Sequence, residues 1–190
     1  MHGVPHGSAR AHYERRATLE VTVYSPRRIL VPVDYSDVSR AAISAAIQLA
    51  AQNNDQNGTR VIMLHVQENL DKQLQDAIVN DPDGDSIETG IAASEAAMRE
   101  AAELEYTRAA EAGRQLPQVE IRTHVAGGDW VEVALQLIDE HEIDVIVAGT
   151  HGGPSGIRGW LFGSSTERLV HHATCSVFVV KPKGFPYLTD

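Results

Sequence analysis

A chain of 190 residues, 43% hydrophobic and 22% charged, has room for one well-cored α/β domain and too little for two. Its formal charge of −10 argues against nucleic acid as a partner, and no apolar run approaches the roughly 20 residues that span a bilayer. A lone cysteine, Cys175, excludes an intrachain disulfide framework, and the opening MHGVPHGSARAHYERR has no apolar core of a secretory signal, so the expectation is a cytoplasmic protein without a membrane partner.

The charge is unevenly spread. Residues 1–40 hold six Arg against four acids, and residues 150–190 hold Arg158, Arg168, Lys181 and Lys183 against Glu167 and Asp190. Both ends are therefore mildly positive, while residues 41–149 carry twenty acids against six bases. A small anion at either end meets less repulsion than the total charge suggests.

Residues 1–26 show no sustained period and read as a mobile N-terminal extension, although Leu19–Val23 has strand character. His2, His6 and His12 fit no compact metal site in their spacing. RILVPV (Arg28–Val33) is a continuous apolar run of the kind buried on both faces of a sheet. Asp34-Tyr35-Ser36-Asp37 then supplies helix-capping side chains, and Val38, Ala42, Ala45 and Leu49 recur at helical spacing. RVIMLHV (Arg60–Val66) is a second buried strand. Residues 67–86 are polar, acidic and weakly periodic, and read as a long loop. Within it Asp81, Asp83 and Asp85 alternate like the start of a calcium loop, but Gly84 is fourth and Ala92 twelfth where Gly at six and Glu at twelve are required.

A long helix follows, with Ile87, Ile91, Ser94, Met98, Ala101 and Tyr106 on one face, ending near Gly113 and Pro117. In VEIRTHV (Val119–Val125) the alternation of Val119, Ile121, Thr123 and Val125 with Glu120, Arg122 and His124 predicts a half-wet edge strand. Asp129 and Glu132 form a capping pair for a helix that buries Val131, Ala134, Leu135 and Ile138. IDVIVAG (Ile143–Gly149) reads as a central strand. A glycine-rich stretch from Gly149 to Ser165, a short helix to His172 and the strand SVFVV (Ser176–Val180) complete the pattern.

Strict β-α alternation predicts a five-stranded parallel sheet of Rossmann-like α/β type, with helices on both faces joined by right-handed crossovers. With the third strand at an edge and the first and fourth central, the order is 3-2-1-4-5. The switch point then lies beyond Asp34 and Gly149. Glycines at 149, 152, 153, 156, 159 and 163, followed by Ser164 and Ser165 at a helix start, suit a phosphate held by backbone N–H groups and hydroxyls. The spacing is neither that of a P-loop nor that of a dinucleotide fingerprint. No catalytic residue and no protein metal site is expected. His151 and Arg158 lie in the loop, His171 and His172 diverge on their helix, and Cys175 has no evident activating group.

The text ILVPVDYSDVSRAA, VIMLHV, IDVIVAGTHG and GSSTERLVHHATCSVFVVK resembles the universal stress protein family, with a domain over 27–184 and a short tail at 185–190. ATP-binding members of that family share a G-x2-G-x9-G-(S/T) pattern. Gly149 and Gly152 match its opening and Gly163-Ser164 its close, with ten residues in place of nine between Gly152 and Gly163. The resemblance implies an adenine nucleotide alpha hydrolase-like fold and bound ATP, with Mg²⁺ held through the phosphates. It places Pro32 and Asp34 beside base and ribose, and the backbone of Val66 at the adenine edge. Ala148, Gly149 and Gly152 line ribose and phosphates, and Gly163, Ser164 and Ser165 bind the phosphates. It also implies a homodimer through Ser176–Val180. The function expected is a nucleotide-dependent stress-response module without efficient catalysis; the alternatives are a slow ATPase and a dimeric scaffold that binds no nucleotide. Enzymes of related architecture carry SGGxDS, HIGH or KMSKS signatures, and the first loop here reads DYSDVS.

Overall fold

At the centre of the molecule Ile29, Leu30 and Val31 are wholly buried, as a run apolar on both faces requires. The computed structural model describes residues 24–53, 58–67, 70, 85–113, 119–150 and 164–181. Expectations for the N-terminal extension as far as residue 23, for most of the acidic 67–86 segment, for the glycine loop 151–163 and for the C-terminal residues 182–190 lie outside them.

Strand β1 (Arg28–Pro32) leads through Ser36 into helix α1 (Asp37–Ala51). Ser36 caps that helix by accepting the Ser39 N–H at 3.1 Å. Strand β2 (Thr59–Gln67), helix α2 (Asp85–Glu111) and strand β3 (Val119–Gly127) follow. Helix α3 (Trp130–Glu140), strand β4 (Val145–Gly149), helix α4 (Ser164–His172) and strand β5 (Ser176–Val180) complete the described chain.

All pairings are parallel and the order is β3-β2-β1-β4-β5, the order expected from the pattern of the strands. Side-chain alternation along β1 divides the core between two faces. Ile29 and Val31 join Ala42, Ile43, Ala46 and Ile47 of α1 and Met98 of α2. Leu30 joins Ile62 and Leu64 of β2, Val131 and Leu137 of α3, Ile146 of β4 and Leu169 of α4. Thus α1 and α2 cover one face, and α3 and α4 the other. The crossover direction reverses between β1 and β4, which opens the sheet between their carboxyl ends.

Several details differ from the sequence reading; on α3, Leu137 is buried and Leu135, expected in the stripe, is only partly covered. Along α2 the residues buried most deeply are Met98, Ala102 and Ala109, whereas Ile91, Ser94, Ala101 and Tyr106 are only partly covered. Met98, Ala102 and Ala109 lie four and then seven residues apart, the spacing of a single helix face, and that face turns towards the core. At α3, Asp129 caps alone, accepting the N–H groups of Val131 (2.9 Å) and Glu132 (3.1 Å). The Glu132 carboxylate lies 3.7 Å from Arg168 of α4.

Candidate functional site

The opening between β1 and β4 is a cleft of about 580 Å³. Its floor is the end of β1 and the residue after it, Pro32 and Val33, flanked by Leu64 and Val66 of β2 and by Ala148 and Gly149 of β4. Asp34, Ser36 and the first turn of α1, Val38 and Ser39, form one wall. Gly128, Asp129 and Trp130, where β3 turns into α3, form another, and Ser165 of α4 borders the cleft as well. Of the nine residues expected at a site, Pro32, Asp34, Val66, Ala148, Gly149 and Ser165 therefore meet around one cavity. Ser164 is exposed as the first residue of α4, while Gly152 and Gly163 lie outside the described residues.

Strand register accounts for what Val66 offers. The Leu64 carbonyl accepts the Val33 N–H at 2.7 Å, so the peptide groups of Leu64 point towards β1. Two residues on, those of Val66 point the same way, but β1 has ended at Pro32, paired with Leu64. A backbone donor and acceptor thus face the cleft edge where no β1 partner continues the ladder.

The β1–α1 loop is held under strain. Tyr35 adopts φ +62°, a left-handed conformation costly for a residue with a side chain. Its hydroxyl donates to the Ser94 carbonyl at 3.0 Å, and its ring lies 4.7 Å from that of His65. His65 Nδ1 is 2.8 Å from the Val33 carbonyl and so carries the proton in that bond. Burial pushes the Tyr35 hydroxyl pKa above its ordinary value, which keeps it a donor. Asp34 Oδ1 accepts from the Ser36 N–H (3.0 Å) and Ser36 Oγ (2.6 Å), which fixes the carboxylate beside the cleft.

Glycine is required twice for different reasons. Gly128 has φ +101°, which only glycine adopts without strain. Gly149 faces close approach: a Cβ there would stand 2.5 Å from Val38 Cγ1 and 3.2 Å from the Val38 carbonyl oxygen. The absent side chain keeps the turn after β4 against α1. On the far wall, Arg168 of α4 donates to Asp129 at 2.9 Å. This bond, with the Glu132 and Val131 N–H groups, holds the Asp129 carboxylate below its ordinary pKa. Asp129 therefore caps α3 and ties α4 to it at the cleft rim.

This topology is shared with proteins of known structure. The model of the universal stress protein family matches residues 26–181. The chain belongs to the universal stress protein family. A universal stress protein of Methanothermobacter thermautotrophicus is 35% identical over 69 residues, which cover 36% of this chain and 46% of that protein, less than half its length. Universal stress protein UspA from Lactobacillus plantarum is similar in structure, with a TM-score of 0.56 and 28% identity over 80% of this chain and 95% of that one. A universal stress protein solved in complex with cAMP gives a TM-score of 0.54 and 25% identity, covering 83% of this chain and 98% of the other.

In this universal stress protein the sequence reading missed Gly128, Asp129 and Trp130 as parts of the site. Asp129 was legible as a helix cap, and nothing in its local pattern points to a cleft. The available signal was topological. In a parallel sheet all carboxyl ends share one side, so the turn after β3 borders the same cleft as those after β1 and β4.

Proposed function

We propose that this universal stress protein binds ATP in the cleft between β1 and β4 and acts as a nucleotide-dependent regulatory module without efficient catalysis. The observation that carries this is the convergence of Pro32, Asp34, Val66, Ala148, Gly149 and Ser165 on one cavity at the sheet's switch point. The cAMP complex of a relative at 25% identity supports an adenine nucleotide as the ligand. In this reading the Val66 backbone takes the adenine edge and Asp34 a sugar hydroxyl. The N–H groups at the start of α4, with Gly149, Gly152, Gly163, Ser164 and Ser165, take the phosphates.

Among the described residues no three His, Cys, Asp or Glu side chains stand close enough to share a metal ion. In this reading Mg²⁺ rides on the phosphates, and binding rather than phosphoryl transfer is the protein's task. Calorimetric titration of nucleotide-free protein with ATP tests the proposal: saturable binding that Gly149→Val abolishes is expected. No binding by the wild-type chain overturns it in favour of a scaffold, and turnover well above a few per hour would make the protein an enzyme.

The pairing of two copies through β5 belongs to the same proposal. β5 is an edge strand, bonded only to β4 among the described strands, and Phe178 on it is 51% exposed. Val170 of α4 is 47% exposed. An open edge that carries apolar side chains suits association with a second copy.

A further inference from the structure

The two ends of the cleft differ in chemistry. At the α4 end the lining is Gly149 and Ser165, small and rich in donors. At the β2–β3 end it is Leu64, Val66 and Trp130. Trp130 follows closely on Gly127, which pairs with Gln67 next to Val66, and Trp130 and Val66 line the cleft and pack against the same core cluster. It is the one aromatic residue among those lining the cleft in the described structure.

Trp130 is also held in place. As the first residue of α3 it follows Asp129, which bonds two N–H groups of the helix and Arg168 of α4. The ring is half-buried and packs against the cluster of Leu30, Ile62 and Leu64 while still bordering the cavity. A large π surface packed on the core, beside a backbone donor and acceptor that no described residue of β1 engages, suits a flat heteroaromatic ring with a polar edge. We infer that Trp130 is the surface on which the nucleobase stacks. The inference rests on the nucleotide-binding reading above and adds to it the residue on which the base lies.

Two measurements test it. With two tryptophans in the chain, Trp160→Phe leaves Trp130 as the only indole emitter. Saturating ATP changes its emission if the base stacks there, and this arm needs no change at Trp130 itself. Separately, calorimetry with ATP compares Trp130→Phe, which keeps a π face, with Trp130→Leu, which keeps apolar bulk alone. Trp130→Phe is expected to bind within about threefold of wild type, and Trp130→Leu about fivefold or more weaker. Equal affinity for the Leu variant, or emission unchanged at saturation, overturns the role of Trp130 while nucleotide binding stands. Failure of the wild-type chain to bind ATP brings down the functional reading itself. If Trp130→Leu does not fold, the emission arm decides.

Discussion

At the scale of single residues the cleft depends on what is missing at Gly149 and on what is strained at Tyr35. A methyl group at position 149 collides with Val38, whose side chain can turn aside but whose carbonyl oxygen, 3.2 Å from the added Cβ, cannot. Gly149→Ala is expected to cost about 1–3 kcal/mol of stability by overpacking and to lower the melting temperature by several degrees. Val38→Ala in the same chain restores only part of that loss, which thermal unfolding of the single and double variants measures. Tyr35→Phe removes the bond to the Ser94 carbonyl while keeping the ring beside His65. A loss of about 0.5–1.5 kcal/mol is expected in denaturant unfolding. Cys175 is quieter: burial raises its thiol pKa, so alkylation near neutral pH runs slower than for an exposed peptide thiol. A rate equal to that of a model thiol would contradict this account of its environment.

At the scale of elements, α4 matters most, because its first turn is the phosphate-binding end in the proposed reading. Leu169 anchors it in the core and Arg168 ties it to Asp129 at the start of α3. Because the Asp129 pKa is depressed in the folded protein, its stabilising contribution is complete above the ordinary aspartate value of 3.8. It is lost as pH falls through the lower folded value. The difference in stability between wild type and Arg168→Ala is therefore expected to be present at pH 7 and to shrink as the solution is acidified below about 4. Urea unfolding across that range checks it, and a gap that widened towards acid would have the wrong sign. Both partners are partly exposed, so the stability effect is small. Nucleotide affinity is the more sensitive readout, since a displaced α4 carries Ser164 and Ser165 with it.

At the scale of the whole molecule, the two edge strands differ in what they would offer a second copy. β3 presents Glu120, Arg122 and His124 to solvent, and Glu120 bonds both Arg60 and Arg122. That charged ladder discourages further strand pairing. β5 has exposed Phe178 instead, so Phe178→Asp is expected to convert a dimer into a monomer by light scattering at micromolar concentration. A wild-type chain that is already monomeric there would refute pairing through β5. No helix among the described residues is long and apolar enough to cross a membrane.

The amino-acid sequence by itself determined the β-α alternation, the strand order and the two central strands. Each rests on hydrophobic periodicity, which burial on one or both faces imposes on every buried element, and Arg28–Val33 and Ile143–Gly149 show it plainly. It also marked Asp34 and Gly149, because capping and turn chemistry follow from backbone geometry. Only the tertiary structure decided that Asp129 and Trp130 belong to the same cleft and that Arg168 holds α4 to α3. It alone showed that Gly149 is needed for contact with Val38 rather than for a positive φ. Those facts depend on distances between residues far apart in the chain. Local preference leaves such distances open, and the packing of helices across the sheet fixes them.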